Sequence, residues 1–188
     1  MKKENTTRYI LRLTLTLLLI TALVAAALAG VNALTKDKIA ALQLEKTQKA
    51  MEEVLPGYDG FEKCEFEDTT GTVKAVYVPS GAVRGTPGYG VEVAPAGFGG
   101  EILMMVGIQD GTVSGVSIVS HVETAGLGAI AAEGSEKGVA FRSQFAGTSG
   151  TLAVDKDGGQ IAAITGATIS SRAVVQGVNA ALAVELKG

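Results

Sequence analysis

The sequence predicts an α+β chain, with an N-terminal transmembrane helix over 13–35, a stalk helix over 36–57, and a domain over 58–188 built on an antiparallel sheet flanked by helices. Three observations carry this. Leu13 to Thr35 contains no charged residue. Tyr89, Val91 and Val93, and then Ile102, Met104, Val106 and Ile108, recur at every second position. From Arg172 to Val184, Ala173, Val174, Gly177, Val178, Ala181 and Leu182 fall on one broad helical face.

At about 1.5 Å per residue, a helix over the charge-free run crosses a hydrocarbon core of about 30 Å. Residues 1–12 carry Lys2, Lys3, Arg8 and Arg12 against Glu4, a net charge of +3 that the positive-inside rule assigns to the cytoplasm. The same start also fits a cleaved leader, with Ala27-Leu28-Ala29 as a small-x-small site. Because the charge-free run continues past that site and passes into a helical pattern, we expect a retained single-pass anchor. Lys36 to Leu55 repeats Ile39, Leu42, Ala50, Met51 and Val54 at loosely helical spacing and stops at Pro56-Gly57, which reads as the stalk.

Phe61 to Asp68 alternates with charged residues and reads as a strand that includes Cys64. Tyr89, Val91 and Val93 define one strand, and Ile102, Met104, Val106 and Ile108 a second. Gln109-Asp110-Gly111 closes their hairpin with the next strand, where the broken parity of Val113, Val116 and Ile118 places a bulge at Gly115. Met104 and Met105 read as core. Gly97-Phe98-Gly99-Gly100 is a turn, with Phe98 near a ligand as the functional alternative. A short helix follows over Lys137 to Phe145, then a turn over Asp155 to Gly159.

Composition excludes several functions. One cysteine and one histidine cannot supply an iron–sulfur cluster, a Cys-x-x-Cys-His haem site or a His-rich metal centre. His121 reads as structural and Cys64 carries no redox role. After the span, 12 Lys/Arg stand against 18 Asp/Glu, and the resulting −6 opposes binding to nucleic acid.

The most informative stretch is Ile164 to Ser171 (ITGATISS), which sets small residues and hydroxyls at a helix N-terminus, with Ser170 or Ser171 as the expected N-cap. Free N–H groups and the helix dipole make such an end an anion site, and Gly166 and Ala167 allow close approach. The competing reading is a capped packing helix and nothing more.

This stretch resembles the flavinylation motif of the FMN-binding domain family shared by RnfG and NqrC, membrane components of ion-translocating electron-transfer complexes. Its Thr-Gly-Ala-Thr core ends at Thr168. A second segment, Ser120 to Ala129 (SHVETAGLGA), is similar to the family's Glu-Thr-Pro-Gly-Leu-Gly element, and the likeness extends from the N-terminal apolar segment to the final helix, nearer to RnfG. Ala162 stands where the family commonly has an acidic residue, and Ala125 where it usually has proline.

The resemblance implies FMN joined by a phosphoester to Thr168. It implies Thr165, Gly166, Ala167, Ser170 and Ser171 around the phosphate, with Glu123, Thr124, Leu127 and Gly128 toward the ring. It further implies an extracytoplasmic domain, a flavin transferase for maturation and the other membrane subunits of an Rnf complex as partners. The chain would be a non-autonomous redox subunit of a ferredoxin:NAD translocase. Two rival expectations are a free-standing membrane-anchored flavoprotein and an unflavinylated binding or structural module.

Overall fold

In the computed structural model, residues 6–58, 60–68, 70–80 and 88–186 are described; Lys2, Lys3 and Glu4 of the basic start lie outside them. The chain divides into two compact units, 1–44 and 45–188.

The first unit is helical, within α1 (Thr6–Val54). Its side chains from Leu13 to Leu34 face outward, and among the described residues it is the one helix long and apolar enough to cross a membrane. Thr14, Thr16, Thr21 and Thr35 spend their hydroxyls on the preceding turn: Thr14 donates to the Ile10 carbonyl (2.9 Å), Thr16 to Arg12 (2.7 Å), Thr21 to Leu17 (3.0 Å) and Thr35 to Val31 (2.9 Å). Such back-bonding gives each hydroxyl a partner without water, which suits a helix in lipid.

The second unit is built on five antiparallel strands: β1 (Phe61–Cys64), β3 (Val73–Pro79), β4 (Gly88–Val93), β5 (Leu103–Gln109) and β6 (Thr112–Ser120), side by side in that order. A small ribbon pairs β2 (Phe66–Glu67) with β7 (Glu185–Leu186). The β5–β6 hairpin turns at Asp110 (φ 52°) and Gly111 (φ 75°), the left-handed pair that matches strand twist. The expected bulge lies where the register moves from Gly107↔Gly115 to Ile108↔Val113.

Both faces of β5 are buried, a departure from one-sided alternation. Met104, Val106 and Ile108 point into the main core with Val174, Val178 and Ala181 of α3 (Thr168–Leu182). Met105 faces the other way, among Met51, Val54 and Leu55 from the end of α1. The globular unit thus takes in the last turns of α1, residues the sequence assigns to the stalk.

A row of aligned glycines makes this second packing possible. Gly90 pairs with Gly107, and Gly107 with Gly115, across β4, β5 and β6. A Cβ at Gly107 would stand 2.6 Å from the Val54 carbonyl oxygen, so the helix end lies directly on bare backbone. The Ser114 hydroxyl donates to that carbonyl, and Ser117 donates to Glu53 (2.6 Å), tying the helix terminus to the sheet.

On the opposite face, α2 (Glu136–Ser143) is capped by Ser135, whose side chain accepts the Gly138 N–H. Arg142 donates to the carbonyls of Ala131 (2.7 Å) and Glu133 (2.9 Å), fixing α2 to the 3-10 turn Gly128–Ala132.

Candidate functional site

The site begins with a turn that ends in a helix. Gly166 adopts φ 77°, and the Ala167 N–H donates to the Ile164 carbonyl (2.9 Å). The helix α3 then starts at Thr168 with Ala167 as its N-cap and no side-chain cap. This corrects the expected capping by Ser170 or Ser171. Both lie inside the first turn and are buried, their hydroxyls engaged elsewhere: Ser170 donates to Glu123, while Ser171 donates to the Ala167 carbonyl (3.0 Å) and accepts the Ile164 N–H (3.0 Å).

The first intrahelical bond runs from Ser171 N–H to the Ala167 carbonyl (2.9 Å), so the N–H groups of Thr168, Ile169 and Ser170 precede it and have no partner within the helix. They point from the positive end of a 15-residue helix. The half-buried Thr168 hydroxyl lies beside them and makes no hydrogen bond among the described residues.

The approach to this turn is held by side chains from three elements. Successive N–H groups of Ala162, Ala163 and Ile164 donate to Gln144 Oε1 (2.7 Å), Asp155 Oδ1 (3.1 Å) and Ser171 Oγ (3.0 Å). The Ala163 and Lys156 N–H groups hold the Asp155 carboxyl below its ordinary range. Asp157 makes a two-point pair with Arg172 of α3 (2.6 and 2.7 Å), and the guanidinium lowers the Asp157 pKa. Both acidic side chains are therefore committed, and Ala162 itself is exposed.

After β6, the Glu123 N–H donates to His121 Nδ1 (3.2 Å), a structural use of the lone histidine. Glu123 is only 8% exposed; Oε1 accepts the Gly99 N–H (2.9 Å) and Oε2 accepts the Ser170 hydroxyl (2.5 Å). The carboxylate thus turns toward protein donors. A Cβ at Gly128 would collide with that carboxylate and with Ser170 Oγ, which explains the glycine there.

These pieces enclose a cavity of about 300 Å³, at the small end of ligand sites. Glu123, Thr124, Leu127 and Gly128 form one wall, and Gly166, Ala167, Thr168 and Ser170 another. Phe98 and Ile169 complete it, both largely exposed. The Gly97–Gly100 turn is present, closed by Gly97 N–H to the Gly100 carbonyl (2.7 Å), and it also presents Phe98 to the cavity. Ile169 is invisible to sequence reasoning, because only the earlier helix start turns it outward.

Thr165 and Ser171 are not brought to this cavity. Ser171 is fully buried, and the exposed Thr165 borders a separate depression of about 600 Å³ with Ile130, Lys137 and Phe141.

Comparison with known proteins addresses both units. The FMN-binding domain family matches residues 97–183, from the Gly97 turn to the end of α3, and the RnfG N-terminal region matches residues 1–54. The G component of the ion-translocating oxidoreductase complex of Methanosarcina acetivorans is 35% identical over 178 residues, covering 92% of this chain and 93% of its own. The G component of the Na(+)-translocating ferredoxin:NAD(+) oxidoreductase complex of Acetobacterium woodii is 33% identical over 196 residues, covering 94% and 92%. The corresponding component of the ion-translocating oxidoreductase complex of Aliivibrio fischeri is 34% identical over 163 residues, covering 80% and 78%. With the cavity lying inside the matched FMN-binding domain, and the likeness running over nearly the whole length of two relatives, the chain belongs to the RnfG family of ion-translocating oxidoreductase complexes.

Proposed function

We propose that the chain is the electron-carrying flavoprotein subunit of a membrane-bound, ion-translocating ferredoxin:NAD oxidoreductase, with FMN joined through its phosphate to the Thr168 hydroxyl. One observation carries the reading: a threonine hydroxyl with no hydrogen-bond partner among the described residues stands at the first position of α3, among three N–H groups with no helical acceptor, on the wall of a cavity.

The residues fit the group. A phosphate at Thr168 receives the N–H groups of Ile169 and Ser170 and the helix dipole, with no basic side chain needed. Gly166, without a Cβ, leaves backbone open to it. Leu127, Phe98 and Ile169 offer apolar surface to a planar ring, and the Thr124 hydroxyl a polar edge. When bound, the flavin supplies the redox chemistry, taking up and releasing electrons, while the protein fixes its place and surroundings.

The N-terminal charge supports a cytoplasmic N-terminus and an extracytoplasmic domain, with residues 13–35 as the span and the helix beyond it running into the globular unit that begins at 45. A dissociable cofactor on that side would be lost by dilution, whereas a tether keeps its local concentration high whatever the intrinsic affinity. Attachment is the work of a flavin transferase, and electron exchange that of the neighbouring membrane subunits.

The test is flavin fluorescence on a denaturing gel, with intact mass, for chain produced together with its transferase. The expected wild-type mass exceeds that of the polypeptide by FMN less one water, and Thr168→Val abolishes both the band and the increment. A wild-type chain with neither refutes the tether. Purification as a solitary active reductase, without other membrane subunits, would favour the free-standing flavoprotein.

A further inference from the structure

Resting on that reading, we infer that Glu123 is a positioning residue: by accepting from Gly99 and Ser170 it locks the Phe98 turn to the first turn of α3, and its charge holds down the reduction potential of whatever flavin occupies the cavity. The carboxylate joins three segments far apart in sequence: the β4–β5 turn, the stretch after β6, and α3 two residues past Thr168. Gly97 and Gly128 lack the Cβ atoms that would displace it.

The second half of the inference is electrostatic. Among the described residues no Lys, Arg or His forms an ion pair with Glu123; both of its oxygens are met by neutral donors. A carboxylate in a cavity wall, shielded from solvent and without a counter-charge, opposes the gain of negative charge beside it. Reduction of a group in that cavity adds such charge. The Ser170 hydroxyl is drawn to Glu123 as well, so a phosphate at Thr168 relies on backbone N–H groups.

Two substitutions separate geometry from charge in the full-length chain in detergent. Glu123→Gln keeps an oxygen for the Gly99 N–H and sets an amide against Ser170 Oγ, which can accept; it removes the charge and keeps both links, the one to Ser170 with its direction reversed. Glu123→Ala removes both links. In flavin-free chain, Glu123→Ala is expected to speed amide exchange at Gly99 by about tenfold or more, the factor for losing a bond to a charged acceptor, and Glu123→Gln by much less. In flavin-loaded chain, Glu123→Gln is expected to move the midpoint potential to more positive values. Unchanged Gly99 exchange in Glu123→Ala overturns the positioning role, and a potential that stays level or falls in Glu123→Gln overturns the electrostatic one. Failure of the tether shows separately, as wild-type chain without flavin, and leaves the exchange measurement valid.

Discussion

The side-chain amide of Gln144 grips the backbone of Ala162 at both ends, Oε1 accepting its N–H at 2.7 Å and Nε2 donating to its carbonyl at 3.2 Å. The peptide of the segment leading to Thr168 is thereby paired as a neighbouring strand would pair it, by one side chain from the end of α2. Replacing Gln144 with Ala removes both partners at a solvent-reachable position. We expect a loss of about 1 kcal/mol, read by urea unfolding of the full chain, and lower flavin incorporation at Thr168.

Ala162→Asp tests the departure from the family pattern. Since the Ala162 side chain is exposed, and its backbone partners do not involve the Cβ, the change is expected to alter stability by no more than about 0.5 kcal/mol. Asp155 and Asp157 are occupied by Ala163 and Arg172, so neither stands in for an acidic residue at 162. The fluorescent band is therefore expected to strengthen in Ala162→Asp, measured against total protein.

Gly107→Ala places a methyl group against the Val54 carbonyl and the Ser114 hydroxyl, and the obstructing carbonyl is backbone that cannot swing aside. Gly90→Ala meets the thioether end of Met51, which can. We expect Gly107→Ala to cost roughly 1–3 kcal/mol and Gly90→Ala clearly less, compared by denaturant midpoints.

Acid should loosen the approach to Thr168. Asp155 and Asp157 have folded pKa values below their unfolded ones, so the stability they lend is present above the ordinary carboxylate pKa and is lost as pH falls through the depressed values. Amide exchange at Ala163, normalised for its intrinsic pH dependence, is expected to rise as pH drops below about 4. Asp157→Asn should remove the Arg172 share of that acid sensitivity while leaving the share at Ala163.

Much of the architecture is legible in local signals. Asp110-Gly111 demands a tight hairpin, the charge-free run demands a long helix, and the small and branched residues after Arg172 allow one packing face. Distant pairings leave no such mark. Nothing near Ser170 reveals that a carboxylate 47 positions away claims its hydroxyl, so the helix start at Thr168 and the side-chain-free cap are not evident from the serines themselves. Phe98 reads as part of a turn because only the fold brings it beside Leu127. Met104 and Met105 both read as core, and both are buried, but what covers the second face of β5 is concealed in the same way, since it comes from a helix end that reads as stalk.

That cover decides how a soluble version should be cut. Severing the chain at 58, the boundary suggested by the sequence, would strip Met51, Val54 and Leu55 from the sheet and bare Met105, Val119 and Tyr77 to water, inviting aggregation. A start near Glu45 retains the lid of apolar side chains, and proteolytic removal of the leader-like first 29 residues would leave it untouched.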